Sequence, residues 1–459
     1  MEILDTDSYK ASHFLQYPKG TEALFGYLES RGGMYRETMF FGLGSLLSEL
    51  TIPVKEWQVR EAADFMARHG EPFPFDGWMR IVNKHKGFLP LRIRAVREGS
   101  VVPVSNPLLT VETTDPEIPW IMGWLETQLM RLWYPITVAT RSYMCKKVIY
   151  EFLQETSNDP LGELPFKLHD FGSRGVSSRE SAGIGGAAHL VNFRGTDTIW
   201  GCRHVKEHYL LDDQNDPVGF SIPASEHSTI TAWGKDQEVQ AYRNMLGLGK
   251  MVSVVSDSYD IFNAVENLWC DTLLDEVKAS GTTVVIRPDS GNPVDVNLKI
   301  AEIIDRKVGC TKNLKGYKVF PKFFRLIQGD GNNDEQDIKK ILTAFKQAGF
   351  SASNIAFGMG GGLLQKLDRD TQKFAFKVSS AKVDGEWRDV YKDPITDPGK
   401  RSKRGRVDLI KNLNGYRTIQ GVDKDSPFSE LLTVYDNGVA FMENFDEIRR
   451  RADKEFLND

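Results

Sequence analysis

Between residues 165 and 383 the chain returns eight times to one device, a short β-prone run that closes in a polar or glycine-rich loop. The runs are KLHDFG (167–172), LVNFRGTD (190–197), GFSIPASEH (219–227), VSVVSDS (252–258), TVVIRPDSG (283–291), FRLIQGDG (324–331), NIAFGMGGG (354–362) and FKVSSAKV (376–383). Most are followed by a helical pattern. A recurrence of roughly 25–40 residues is what one parallel strand and one returning helix require, so the region reads as a βα barrel. An open doubly wound sheet has the same spacing and stays open as an alternative. The barrel reading carries a consequence. The loops after its strands share one face, so Asp170, Asp197, His227, Asp257, Asp289, Asp330 and the glycines at 358–362 should converge. The competing explanation is that Asp and Gly simply end strands.

The flanks differ in texture. Residues 23–31 read as a strand, 38–50 and 54–69 as amphipathic helices, the second with Trp57, Val59, Ala62 and Phe65 on one face. Three β-rich runs between 89 and 113 suggest a small antiparallel sheet. An apolar helical pair follows, split at Pro135 and ending near Ser157. Past Asp384 the chain turns β-rich again, with hairpin signals at Asp384-Gly385, Asn414-Gly415 and Asn437-Gly438, then a helix over 445–456. This tail should pack on the N-terminal sheet. The expected organisation is therefore α/β, a barrel over 158–383 inserted into a flanking strand-rich α+β domain built from 1–157 and 384–459.

At 459 residues there is length for two or three domains, and a net charge of −5 gives no sign of a nucleic-acid or membrane partner. The apolar stretch 118–138 contains Glu126, Arg131 and Pro135, which makes it a buried helix and no membrane span. Cys145, Cys202, Cys270 and Cys310 form no CxxC pair, and the acidic N-terminus lacks a signal-peptide pattern. A cytoplasmic setting is expected.

Several constellations could carry chemistry. In PASEHST, Glu226 and His227 stand just ahead of the N-cap types Ser228 and Thr229, so His227 is either a cap or a ligand-facing group. GMGGGLLQK (358–366) follows a strand and opens a helix, which favours phosphate binding over a plain turn, although it is not a P-loop. Arg287 and Asp289, two apart at a strand end, share a side and suit a sugar phosphate, or a structural salt bridge. GIGGAA (183–188) fits GxGxxA formally but lies within a helical pattern. His204 to His208 matches HxxEH, a remote zinc-peptidase signal without a downstream ligand segment. No metal-ligand set is otherwise expected. The basic run KRSKRGR (400–406) reads as a solvated or phosphate-facing loop.

Taken in order, TDSYKASH (6–13), HDFGSRGVSS (169–178), HLVNFRGTDT (189–198), PASEHSTITAWGKD (223–236), SVVSDSYDI (253–261), IRPDSGNP (286–293), IQGDG (327–331) and FGMGGGLLQKLDRD (357–370) resemble the nicotinamide phosphoribosyltransferase family. The resemblance implies an irregular α/β barrel with a strand-rich domain and a homodimer with shared active sites. The implied reaction joins nicotinamide to phosphoribosyl pyrophosphate with Mg²⁺, stimulated by ATP. Phe171 resembles the ring that stacks on the pyridine, with Tyr9 of a second copy opposite. Asp197 resembles the carboxylate that accepts from the amide, with Arg174 close by. Arg287, Asp289, Gly329 and Asp330 resemble ribose and phosphate contacts, and Gly360 and Gly361 the phosphate cradle. Arg31, Arg369 and Lys377 are similar to basic residues reaching across the dimer. His227 matches the histidine that ATP phosphorylates, with Asp257 as its acidic neighbour. Two positions depart from the animal pattern: the loop after Arg31 is short, and Ala375 replaces a serine. A nicotinate phosphoribosyltransferase is the chemically nearest alternative.

Overall fold

The computed structural model describes residues 2–396, 401–413, 415–421 and 426–458. Asn414, part of one hairpin signal, and Lys400, the start of the basic run, lie outside them. The chain divides into two compact units, one of residues 1–140, 206–214 and 367–459, the other of 141–205 and 215–366. The expected boundaries at 157 and 383 thus fall inside units.

The second unit is built on six parallel strands: β1 (Leu168–Asp170), β2 (Gly195–Thr196), β3 (Met251–Val255), β4 (Thr283–Arg287), β5 (Phe324–Gln328) and β6 (Ile355–Met359). Their order in the sheet is β2-β1-β6-β5-β4-β3. The run 219–227 forms no regular strand, because Pro223 has no N–H to give a ladder. It still takes a place in the ring, since parallel bridges join Phe220 to Gly195 and Ala224 to Ser253. The order β2 to β3 is thereby closed through segment 220–224, giving an irregular barrel. Val252, Val254, Val284, Ile286, Leu326 and Phe357 are fully buried, as parallel strands covered on both faces require.

Helices return between these strands with legible caps. Asn292 accepts from the amides of Val294 and Asp295 (2.9 and 3.2 Å) and Pro293 opens helix Pro293–Lys307. Asp334 does the same for helix Glu335–Gln347, whose Ile338, Ile341, Leu342 and Phe345 are buried at helical spacing. GIGGAA lies inside helix Arg179–His189, so it forms no dinucleotide turn.

The eighth run departs from expectation. Phe374–Val383 pairs antiparallel with Thr21–Ser30 and belongs to the first unit's seven-stranded sheet. Leu432–Asp436 pairs with Leu91–Ala95 in that same sheet, so the C-terminal tail does pack on the N-terminal strands. Asp384-Gly385 and Asn437-Gly438 turn their hairpins with positive φ at both residues, the backbone such two-residue turns demand.

Three further details differ. Only helix Leu43–Leu50 forms from 38–50, because Glu37–Met39 is a strand paired with Val101–Pro103. Buried Glu98 fixes that helix start: its Oε1 accepts from Gly42 N (2.6 Å), Leu43 N (2.9 Å) and the Tyr209 hydroxyl (2.9 Å). In helix Glu56–His69, Val59, Ala62 and Met66 face the core while Trp57 and Phe65 are exposed. The apolar pair 118–138 breaks at Arg131–Leu132, before Pro135, which sits in the first turn of helix Trp133–Thr156 where no N–H is needed. Among the described residues no helix is long and apolar enough to cross a membrane.

Candidate active site

The C-terminal ends of the parallel strands surround a cavity of about 1280 Å³ within the second unit. Phe171 and Arg174 enter from the loop after β1, Asp197 from β2, His227 from the segment after 220–224, and Asp257 from β3. Arg287 and Asp289 come from β4, Gly329 and Asp330 from β5, and Gly360 and Gly361 from β6. The convergence expected of barrel loops holds for these residues.

It fails for Gly358, which does not line the cavity, and for Asp170. That side chain is fully buried and does not line the cavity; its Oδ1 accepts from Gly172 N at 2.7 Å. Burial pushes its pKa up to about 7 against that bond. It is the last residue of β1, pointing inward, and shapes the turn that presents Phe171. Phe171 is tied to β6 by its own N–H, which donates to Met359 O at 3.0 Å. Gly358 explains the fit of the ring, since a Cβ there would stand 2.1 Å from Phe171 Cε2.

His227 opens helix His227–Thr231, with Glu226 as the N-cap, so neither Ser228 nor Thr229 caps it. The half-exposed ring places Nε2 2.9 Å from Oδ1 of Asp257, whose side chain is 2% exposed. A carboxylate can only accept, so Nε2 carries a proton, and in the neutral ring the lone pair is then on Nδ1. Asp257 Oδ2 accepts from the Ser290 hydroxyl (2.5 Å) and Asp289 N (3.1 Å). Burial alone would raise the Asp257 pKa, but the bonds from Ser290, His227 and Asp289 N outweigh it and hold the carboxyl below its usual range. Glu226 does not orient the ring; its carboxylate instead takes the Ser228 hydroxyl.

Arg287 donates from Nε to Asp289 Oδ2 (3.2 Å) and from Nη2 to Ser225 O (2.9 Å), so the strand-end pair is also an ion pair. Burial raises the Asp289 pKa, opposed by Arg287, and its Oδ1 is buried without a hydrogen-bond partner. That orphaned hard oxygen, with Asp330 beside it in the cavity wall, fits a divalent cation brought in with phosphates. A Cβ on Gly329 would lie 2.5 Å from Asp289 Oδ1, so glycine is what lets the β5 loop close on the pair. Among the described residues no group of three or more His, Cys, Asp or Glu could hold a metal alone. His204, of the HxxEH match, is buried in helix Ile199–His208.

Some cavity residues were not singled out from sequence. Ser290 follows Asp289 directly, and its role was open to reading from that adjacency. Asn332 donates to Gln328 O and Gly358 O (both 3.0 Å), tying the ends of β5 and β6. Outside the cavity lining, Ser221 donates to Asp197 Oδ1 at 2.5 Å. Hydroxyls and amides are too common in loops for either to signal itself.

The expected site residues Tyr9, Arg31, Arg369 and Lys377 lie in the first unit, as does Ala375. Arg31, Arg369, Ala375 and Lys377 line a separate cleft of about 720 Å³ there. Burial lowers the Lys377 pKa, opposed by Glu126 and reinforced by Arg31 and Lys10. Tyr9 is exposed on the turn Ser8–Leu15, with its ring 5.1 Å from that of His13.

Comparison with known proteins gives a consistent picture. Residues 166–439 match the nicotinate phosphoribosyltransferase family and residues 2–93 the nicotinamide phosphoribosyltransferase N-terminal domain. The chain is 53% identical over 98% of its length to the nicotinamide phosphoribosyltransferase of Xanthomonas campestris pv. campestris, covering 98% of that protein. It is 30% identical to that of Acinetobacter baylyi, over 97% of this chain and 95% of the other. In fold it is similar to nicotinate-nucleotide pyrophosphorylase of Pyrococcus furiosus (TM-score 0.63, 15% identity, 98% and 95% of the two chains). Human nicotinic acid phosphoribosyltransferase follows (TM-score 0.52, 15% identity, 98% and 93%).

Proposed function

We infer the reaction from family and cavity together: the chain belongs to the nicotinamide phosphoribosyltransferase family, and its cavity serves transfer of phosphoribosyl from phosphoribosyl pyrophosphate to nicotinamide in NAD salvage. One observation carries the reading. An aromatic ring and a carboxylate, Phe171 and Asp197, line the same cavity as the Arg287–Asp289 pair and the glycines of β5 and β6.

The pyridine nitrogen attacks C1′ of the ribose while the C1′–O bond to pyrophosphate breaks. The nitrogen has no proton to lose, so the ring keeps the positive charge and no general base is required. What the protein supplies is position and charge. Phe171 stacks on the ring and Asp197 accepts from the amide N–H, with Arg174 nearby. Arg287, Gly329, Asp330, Gly360 and Gly361 hold ribose and phosphates. Asp289 and Asp330 would hold Mg²⁺, which neutralises the departing pyrophosphate when bound. In a homodimer the second copy would add Tyr9, Arg31, Arg369 and Lys377, while Ala375 lacks the hydroxyl that a serine would bring. ATP stimulation would run through His227: Nδ1 takes the γ-phosphoryl group, ADP leaves, and Asp257 holds the ring by Nε2–H.

A carboxylate accepting from an amide repels nicotinate, and two like charges about 4 Å apart near a protein surface cost on the order of 4 kcal/mol before solvent around the exposed Asp197 screens them. The test is to offer each base with phosphoribosyl pyrophosphate and follow mononucleotide formation. Nicotinamide should be the preferred base; preferential use of nicotinate would point to a nicotinate phosphoribosyltransferase.

A further inference from the structure

We infer that Ser221 is a positioning residue that sets base selectivity through Asp197. The inference rests on the reading of Asp197 as the amide-accepting carboxylate. The Ser221 hydroxyl lies 2.5 Å from Asp197 Oδ1, while its other acceptor, Ile222 O, is 3.5 Å away. Facing a carboxylate, the hydroxyl must donate. Asp197 Oδ2 takes no hydrogen bond among the described residues.

The backbone is held at Asp197 and at Phe220, the residue before Ser221. Asp197 N donates to Asp170 O (2.9 Å) at the end of β1. Phe220 N donates to Arg194 O (2.7 Å) and accepts at its carbonyl from Thr196 N (2.9 Å). The freedom left is rotation of the Asp197 carboxylate about its own side-chain bonds, and the Ser221 hydroxyl removes it. One oxygen is thereby engaged and the other is presented in a fixed direction to accept a single N–H. A carboxamide supplies that donor and a carboxylate does not. Ser221 is exposed, so this pairing forms at the solvent boundary.

Without the hydroxyl, Asp197 can turn from the base, which weakens the grip on the amide and relieves the repulsion of nicotinate. The experiment is steady-state kinetics of Ser221→Ala and Ser221→Thr with both bases, alone and combined with Asp197→Ala. Ser221→Ala should raise KM for nicotinamide about tenfold, the loss of one hydrogen bond to a charged group. It should lower the preference for nicotinamide over nicotinate and leave KM for phosphoribosyl pyrophosphate near that of the unmodified enzyme. Ser221→Thr keeps the hydroxyl and should recover both values. Added to Asp197→Ala, Ser221→Ala should change neither. If Asp197→Ala loses base preference and Ser221→Ala does not, the positioning role is overturned while the reading of Asp197 stands. If Asp197→Ala itself keeps the preference, that reading fails and takes the inference with it.

Discussion

Replacing Gly358 by alanine tests the proposed base site with one methyl group. The Cβ would stand 2.1, 2.3 and 2.9 Å from Cε2, Cδ2 and Cζ of Phe171. Carbon atoms settle near 3.5–4.0 Å, so the ring must retreat by roughly 1.5 Å. The backbone cannot share the shift, because Phe171 N is bonded to Met359 O one residue along β6. Nor does alanine strain position 358, whose φ is not positive. The penalty therefore falls on the ring. A stacked aromatic pair contributes about 0.5–1.5 kcal/mol beyond burial, so its loss should raise KM for nicotinamide roughly two- to tenfold. Misplacing the base by about 1 Å from its line of attack can lower kcat by up to a hundredfold more. The assay is mononucleotide formation with nicotinamide varied at saturating phosphoribosyl pyrophosphate, paired with thermal unfolding to confirm the fold. In a Phe171→Ala background the three nearest atoms the methyl would meet are gone, so it should do little. A Gly358→Ala enzyme with nicotinamide KM within twofold of the parent would refute the stacking role of Phe171.

Other perturbations separate the remaining roles. Asp197→Ser should weaken nicotinamide use and relax discrimination against nicotinate, read as the ratio of kcat/KM for the two bases; an unchanged ratio removes Asp197 from selection. His227→Ala should bring the ratio of rates with and without ATP close to unity, and undiminished stimulation would end the phosphohistidine proposal. Gly329→Ala pushes a Cβ to 2.5 Å from Asp289 Oδ1 and 3.0 Å from Arg287 Cδ, so KM for phosphoribosyl pyrophosphate should rise while KM for nicotinamide holds. Glu98 offers a pH test: burial and then Glu443 push its pKa up from 4.5 to about 7, against bonds from Tyr209, Gly42 and Leu43. Its folded pKa is the higher one, so the native state holds the proton longer. Stability should then fall as pH rises from about 4.5 to 7, by about 3 kcal/mol for a shift of that size. Glu98→Gln should flatten that slope in denaturant titrations, and an unaltered slope would assign it elsewhere.

What could be read from sequence was largely a matter of strand ends. A carboxylate or glycine closing a β-prone run marked Asp197, Asp257, Asp289, Asp330 and Gly360 correctly as cavity residues. Asp170 has the same appearance, but as the last residue of β1 it faces inward, and a face cannot be read from composition. The run 376–383 is as β-prone as its neighbours, and whether such a strand pairs in parallel or antiparallel depends on partners far away in the chain. Trp57 and Phe65 fit an apolar helical stripe, yet only the Val59, Ala62 and Met66 side met a core. Ser221 escaped because its meaning lies in one contact across 24 residues. The family resemblance supplied what spacing could not, namely the nicotinamide phosphoribosyltransferase family.

The way the barrel closes bears on its motion. Segment 220–224 meets β2 and β3 through a handful of backbone hydrogen bonds: those of Phe220 described above, and those pairing Ser253 N with Pro223 O and Ser225 N with Ser253 O (both 2.9 Å). Pro223 interrupts any ladder, and Phe220 is already 40% exposed, so parting this seam uncovers little new apolar surface. Local opening draws on such low-stability stretches while the laddered strands stay closed. The amides of Phe220 and Ser225 should accordingly exchange with solvent before those of β3 and β4. The segment from Phe220 to Ala224, between β2 and β3, is thus the part of the ring expected to open first, while the six laddered strands stay closed.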